Sequence, residues 1–266
     1  MTVLTRLWDH VSASQPAPAA WVVGVTALAA LLLVLNTASW RLAGKVITIA
    51  HEGGHALVSV LSGRRLEGIR LHADSSGVTY SRGKRRGPGL VLTAAAGYLT
   101  PSLLGAGAAA LLAARHPVAL LWLALVLLAA TFLAVRNVFG ALAVLVTAGG
   151  VFAVSYYASA AVQAGFAYLA AWFLLLGGMR PALELTPRRR YARAGAGARA
   201  GPRSGPRSGT GPRSGSGSRS GSGAGSGLTD ADQLARLTGL PRGFWVTAFI
   251  LVAAAALALG ARLLIP

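Results

Sequence analysis

Apolar runs long enough to cross a lipid bilayer recur along this 266-residue chain and constrain its fold more than any other feature. Hydrophobic residues make up 54% of the sequence and charged residues only 12%. Because backbone polar groups in lipid must be satisfied within the segment itself, we expect these runs to be helices. With about 20 apolar residues needed per crossing, the sequence predicts an all-α polytopic membrane protein with about seven transmembrane helices, at residues 20–40, 46–61, 90–113, 118–135, 138–158, 162–178 and 244–264.

The distribution of basic residues predicts how the chain is oriented. It carries 25 Lys and Arg, of which seven fall at 63–87 and nine at 188–219, both beside predicted spans. Loops rich in Lys and Arg stay on the cytoplasmic side of a membrane. With seven spans, the N-terminus and both basic segments are therefore expected in the cytoplasm and the C-terminus outside, in a multi-pass protein of the cell membrane.

The net charge of +18 does not by itself indicate a nucleic-acid partner. Tyr191 is the only aromatic residue among the arginines of 188–219, so the sequence lacks the stacking residues of a single-strand binding surface. We expect the basic residues to face solvent or the headgroups of the lipid bilayer, with no specific nucleic-acid partner.

The stretch His51-Glu52-Gly53-Gly54-His55 places ionisable groups inside the second apolar run. Such groups are costly in a bilayer and usually mark a functional site. On a helix, His51 and His55 are i, i+4 neighbours, so two imidazoles can bind one zinc ion. Glu52 lies next to that face, where it can take a proton from a water activated by the zinc. The motif predicts a zinc hydrolase acting in the membrane; the alternative is a set of buried polar side chains that join helices.

Between the second and third spans the sequence becomes basic and rich in turn residues. Two short β-like runs, at 66–72 and 78–81, flank a turn-forming cluster at 73–77. We expect a small β-hairpin at the cytoplasmic mouth of the protein, with an ordinary basic loop as the alternative.

Composition divides the chain into four parts. One of them, rich in Gly, Ser, Arg and Pro, lacks the apolar content to fold and is typical of a disordered linker. The parts are an N-terminal cytoplasmic segment at 1–19, a transmembrane core at 20–187 with the HEGGH helix at 46–62 and the hairpin at 63–87, the basic linker at 188–227, and a short helix followed by the last transmembrane helix at 228–266.

A catalytic zinc ion usually has three protein ligands and a water, so the two histidines need a further partner. The chain contains no cysteine, which excludes thiolate ligands. The candidate ligands are His10, Glu67, His72, Asp74, His116, Glu184, Asp230 and Asp232. Asp230 also has a purely structural interpretation, because Thr229 or Asp230 is a suitable N-cap of the short helix.

Two blocks carry a resemblance to a known family. HEGGHALVSVLSGRRLEGIRLHADSSGVTYSRG at 51–83 and AAGYLTPSLLG at 95–105 resemble the site-2 protease-like intramembrane zinc metallopeptidases, in particular a divergent bacterial and plant branch. Arg136-Asn137 is similar to the basic-Asn pair of that branch, and Thr229-Asp230-Ala231 to its Ser-Asp-Ala element. The similarity covers most of residues 45–260 apart from the linker.

The resemblance implies a zinc metalloprotease that hydrolyses peptide bonds of membrane-spanning protein substrates. It implies His51 and His55 as zinc ligands and Glu52 as the catalytic base. Better-studied members take the third ligand from an Asp-Gly motif, which this chain lacks. By resemblance the third ligand is Asp230, with Asp232 as second choice.

Two further interpretations stay open. Asn137 is expected to donate a hydrogen bond to a substrate carbonyl or a developing oxyanion, with an interhelical hydrogen bond as the alternative. A non-catalytic membrane scaffold or adaptor that retained the protease fold is the alternative function. No pattern indicates an oligomeric state.

Overall fold

The computed structural model describes residues 13–186 and 228–265. Most of the predicted N-terminal segment and the linker predicted at 188–227 lie outside the described residues. The elements are α1 (Ala20–Leu35), α2 (Thr37–Leu61), β1 (Arg65–Leu71), β2 (Gly77–Arg82), α3 (Pro88–Ala113), α4 (Pro117–Ala134), α5 (Val138–Tyr157), α6 (Ala160–Glu184), α7 (Asp230–Thr238) and α8 (Arg242–Leu264).

Five helices in the described part of the chain are long and apolar enough to cross a membrane: α3, α4, α5, α6 and α8. The number rises to six if α1 and α2, which are joined at a bend of 101°, form one broken span. The predicted mostly helical architecture with several apolar spans and a small β-sheet is confirmed, whereas the count of seven is not. The difference arises where two separate spans were expected and a bent pair is found.

The bend lies at Asn36, because this side chain caps the start of α2. Asn36 Oδ1 accepts hydrogen bonds from the backbone N–H groups of Ala38, at 2.8 Å, and Ser39, at 3.2 Å. Arg180 of α6 donates to the carbonyl oxygen of Val34, one of the groups left unpaired where α1 ends. The boundary between the first two apolar runs is therefore at residue 36 and not at 41–45.

The helix that carries the HEGGH motif accordingly begins at Thr37 rather than at residue 46. Arg41 and Lys45, which lie between the first two predicted spans, are part of α2. Lys45 Nζ lies 3.0 Å from the carbonyl oxygen of Arg41 and 3.2 Å from that of Ala73 in the hairpin turn. Its charge is thus bonded to two carbonyl oxygens and does not end the helix.

The hairpin lies along α2 rather than only at its end. β1 and β2 pair antiparallel, and the turn between them reaches back to Thr48, whose hydroxyl donates to the carbonyl oxygen of Ser75 at 2.9 Å. The other edge of β1 is also paired: Ile69 forms a parallel bridge with Val135, and the N–H of Arg136 donates to the carbonyl oxygen of Ile69 at 2.8 Å. The segment between α4 and α5 therefore holds the outer edge of the hairpin.

Helix α3 lies at the centre of the bundle, in contact with α2, α6, α7 and α8. Small residues permit this close packing, since a Cβ added at Gly105 would lie 2.8 Å from the backbone nitrogen of Leu175. On the other side of α3, Ala231 and Leu234 of α7 are fully buried beside Phe249 of α8. These contacts place the start of α7 against α3, the helix that packs on α2 and its histidines.

Candidate metal centre

The two histidines of α2 point their outer ring nitrogens at one place. His51 Nε2 and His55 Nε2 lie 3.2 Å apart. His55 Nδ1 lies 2.6 Å from the carbonyl oxygen of Thr93 in α3, which can only accept a hydrogen bond, so Nδ1 carries the proton. This contact fixes the orientation of the imidazole and leaves the Nε2 lone pair for a ligand, as is usual for metal-binding histidines.

Asp230 completes a three-residue cluster. Its Oδ2 lies 3.1 Å from His55 Nε2 and 3.2 Å from His51 Nε2. Of the residues that the structure describes, these are the ones grouped closely enough to hold a metal ion together, with all three ligand atoms within 4.8 Å of one another. The sequence resemblance named this aspartate, and the fold brings it to the histidines.

The donor set and its spacing fit a zinc ion. Tetrahedral zinc with bonds of about 2.0–2.1 Å places neighbouring ligand atoms about 3.4 Å apart. The separations of 3.1 and 3.2 Å among the three atoms are close to that value. Gly97 of α3 provides the space, since a Cβ at this position would collide with both imidazoles.

The start of α7 explains why Asp230, rather than Asp232, reaches the histidines. Thr229 is the N-cap of α7, and Asp232 completes a capping box with it, accepting from the Thr229 N–H at 2.9 Å. The other oxygen of Asp232 lies 2.9 Å from Nε of Arg242. Asp232 is therefore engaged in the helix cap and an ion pair, and Asp230, in the first turn, faces the histidines.

The remaining acidic candidates bind other partners. Glu67 pairs with Arg82 at 2.8 Å, and Glu184 with Arg180 at 3.3 Å. Asp74 accepts hydrogen bonds from the hydroxyl and the N–H of Ser76, which lower the pKa of its carboxyl. The structure does not bring His72 or His116 to the cluster, and His10 lies outside the described residues.

Glu52 lies buried beneath the hairpin, with only 4% of its surface exposed. Thr79 of β2 donates its hydroxyl proton to Glu52 Oε2 at 2.6 Å. Gly77, also in β2, leaves room for the carboxylate, because an added Cβ would lie 2.7 Å from Glu52 Oε1. Sequence reasoning singled out neither residue: Thr79 fell in the predicted β-like run at 78–81, and Gly77 fell in the turn-forming cluster at 73–77.

Asn137 pairs with the hairpin through both atoms of its amide. Its Oδ1 accepts from the N–H of Leu71 at 3.1 Å, and its Nδ2 donates to the carbonyl oxygen of Leu71 at 2.7 Å. These two hydrogen bonds join the connection between α4 and α5 to β1, rather than one helix to another. A role in binding substrate stays a prediction.

Aromatic rings support the cluster from α3 and α8. The ring of Tyr98 meets that of His51 edge-on, with 4.8 Å between their centroids. Tyr98 is stacked in turn on Phe249, at 5.0 Å. The last helix of the chain therefore contributes to the surroundings of His51.

The model of the family described as Peptidase M50B-like matches residues 24–200. Since this is more than half of the chain, the protein belongs to the M50B-like peptidases, which confirms the resemblance to the site-2 protease-like family. The M50 peptidases are zinc metallopeptidases, and the family together with the apolar helices indicates a membrane protein. The matched residues include the HEGGH motif and the hairpin but end before Asp230. No curated protein and no solved structure showed significant similarity.

Proposed function

We propose that the protein is an intramembrane zinc metalloprotease that hydrolyses peptide bonds of membrane-spanning protein substrates. The observation that carries the proposal is the meeting of Asp230 with His51 and His55 in a bundle of apolar helices, at separations that suit one zinc ion. Membership of a membrane metallopeptidase family supports the same assignment.

His51, His55 and Asp230 would hold the ion. A zinc ion in such a site supplies Lewis-acid chemistry, polarising the scissile carbonyl and making a water molecule more acidic. Glu52 accepts the proton of the attacking water and passes it to the leaving nitrogen. Thr79 donates a hydrogen bond to Oε2 of that carboxylate, so we assign Oε1 as the oxygen that accepts the proton of the water. The substrate segment has to unwind, because a helix keeps its carbonyls in internal hydrogen bonds.

The alternative function is a non-catalytic scaffold, which the missing Asp-Gly motif favours. The position of Asp230 beside the histidines supports the protease, because it offers a carboxylate from another part of the chain. A structural zinc site also has no need of Glu52. Burying an ionisable side chain in the membrane costs free energy, so its presence there favours a functional role.

We further propose a cell-membrane location with the basic segments cytoplasmic and the C-terminus outside. The expected cytoplasmic N-terminus requires α1 and α2 to cross the membrane separately. Val22 lies near Gly165 and Val34 near Arg180, so α1 runs parallel to α6. Because α6 ends at the basic linker that we propose to be cytoplasmic, a parallel α1 begins on the outer side of the membrane. This direction supports a single bent span formed by α1 and α2.

The proposed activity is tested by Glu52→Gln in the full-length protein. The variant is expected to bind one equivalent of zinc and to lose cleavage of a single-span reporter whose apolar helix is interrupted by a central Gly-Pro pair. Undiminished cleavage by Glu52→Gln contradicts the assignment. A wild type that binds zinc but leaves the reporter intact supports the scaffold.

A further inference from the structure

We infer that Thr79 is a positioning residue for Glu52, holding the base through the hairpin. The inference rests on the proposed function and deepens it. The Thr79 hydroxyl lies 2.6 Å from Glu52 Oε2 and 3.2 Å from the backbone carbonyl oxygen of the same residue. Thr79 is 5% exposed and Glu52 4% exposed, so the hydrogen bond forms away from bulk solvent.

The need for such a contact follows from the chemistry of a buried base. A carboxylate on a long side chain has several rotamers, and a base acts only when its oxygen is within hydrogen-bond reach of the proton. A hydrogen bond to a charged acceptor is strong and directional. Once Oε2 is held by Thr79, the direction of Oε1 is determined by the planarity of the group.

Gly77 lies against the same Glu52 side chain. A Cβ at this position would lie 2.5 Å from Glu52 Cγ and 2.8 Å from Cδ, so the Glu52 side chain rests against the bare backbone of β2. Thr79 and Gly77 alternate with Val78 along the strand, which places both on the same face, towards α2. One face of β2 thus supplies the hydroxyl and the space that the base requires.

The strand that carries Thr79, β2, is paired with β1, which is itself bonded to the connection between α4 and α5. Thr79 is paired with Ile69 of β1, which is fully buried and bridged to Val135. The amide of Asn137 binds Leu71 of the same strand. The position of Thr79 therefore depends on the connection between α4 and α5, which is bonded to Ile69 and Leu71 of β1.

The test compares Thr79→Val, Thr79→Ser and Thr147→Val in the full-length protein, using the Gly-Pro reporter. Valine keeps the shape of threonine and removes the hydroxyl, whereas serine keeps the hydroxyl. Thr147 is a matched control, since its hydroxyl bonds only the carbonyl oxygen of Ala143 in its own helix, at 2.8 Å. We expect Thr79→Val to retain zinc and KM but to lose about 10- to 100-fold in kcat. Thr79→Ser and Thr147→Val keep kcat close to wild type.

A second measurement does not require activity. Thermal unfolding of Thr79→Val, Glu52→Ala and the double variant forms a cycle that measures the coupling of the two side chains. We expect Thr79→Val to lower Tm by about 5 °C in the wild-type background and by less than half of that with Ala at position 52. Additive shifts, or a wild-type kcat in zinc-loaded Thr79→Val, overturn the inference. Failure of the wild type to cleave the reporter is a failure of the proposed function alone, because the cycle still decides whether Thr79 holds Glu52.

Discussion

Asp230 Oδ2 lies 3.1 Å from His55 Nε2, although 175 residues separate the two in the chain. The aspartate comes from the first turn of α7, beyond the basic segment predicted as a linker at 188–227. Burial of Leu234 and the ion pair between Asp232 and Arg242 hold that helix in place. The candidate metal centre is therefore assembled from two distant parts of the chain.

The first prediction concerns Asp230 as the third zinc ligand. Asp230→Asn keeps the shape of the side chain but removes the anionic oxygen, so we expect bound zinc to fall at least about tenfold in metal analysis of the purified protein. Asp74→Asn, in the exposed hairpin turn, serves as the control and retains zinc. If Asp230→Asn binds a full equivalent while His55→Ala binds none, the ligand assignment is wrong.

The second prediction concerns the space that Gly97 leaves for the imidazoles. Gly97→Ala places a methyl group against His51 and His55, so we expect loss of zinc with the helical content preserved. Gly107→Ala is a matched control on the same helix, because a Cβ there meets nothing within 4 Å. Alanine favours a helix over glycine by about 0.5–1 kcal/mol, so the control is expected to be at least as stable as wild type. Equal zinc content in both variants contradicts the prediction.

The third prediction separates two roles for Asn137. Its amide makes two hydrogen bonds to Leu71, so Asn137→Ala is expected to destabilise the protein by about 1–3 kcal/mol, measured by thermal unfolding. Asn137→Asp can still accept from the Leu71 N–H but cannot donate, and we expect an intermediate effect. If Asn137→Ala leaves Tm unchanged and lowers kcat, the result supports a role of Asn137 in binding the substrate carbonyl or oxyanion instead.

The fourth prediction is the response to zinc removal. A ligand that binds only the folded protein stabilises it by about 2.7 kcal/mol at 100 times its Kd. We therefore expect a chelator to lower the Tm of the wild type by about 5–10 °C, and added zinc to restore it. The double variant His51→Ala, His55→Ala serves as the control and shows no shift. An equal response of both proteins excludes this cluster as the site.

The fifth prediction concerns the start of α1. The chain contains no cysteine, so single cysteines can be labelled in intact cells with a membrane-impermeant maleimide. If α1 and α2 form one bent span, Ser14→Cys is labelled from outside, as is Ile265→Cys at the other end of the chain. Ser220→Cys, in the basic segment that we propose to be cytoplasmic, is the control and is expected to react only after lysis. Labelling of position 14 only after lysis supports the cytoplasmic N-terminus that the sequence predicted.

Much of the helical framework followed from local sequence. The apolar runs located five of the candidate spans, because the length and composition of a membrane helix are properties of a contiguous segment. The turn-rich segment predicted the hairpin because turn residues between two short β-like runs are also a local feature of the sequence. The bend at Asn36 was missed, because only the hydrogen bonds to Ala38 and Ser39 show that this asparagine caps a new helix.

The sequence by itself determined the two histidines and the glutamate as a group, since one helical turn brings i and i+4 together whatever the rest of the fold does. A family resemblance pointed to Asp230, but only the tertiary structure brought the partners of that group together. Asp230 joined the histidines across 175 residues, and Thr79 joined Glu52 across 27. Those distances depend on how α7 and the hairpin pack against α2 and α3, and packing of separate elements leaves no periodic signal in the chain.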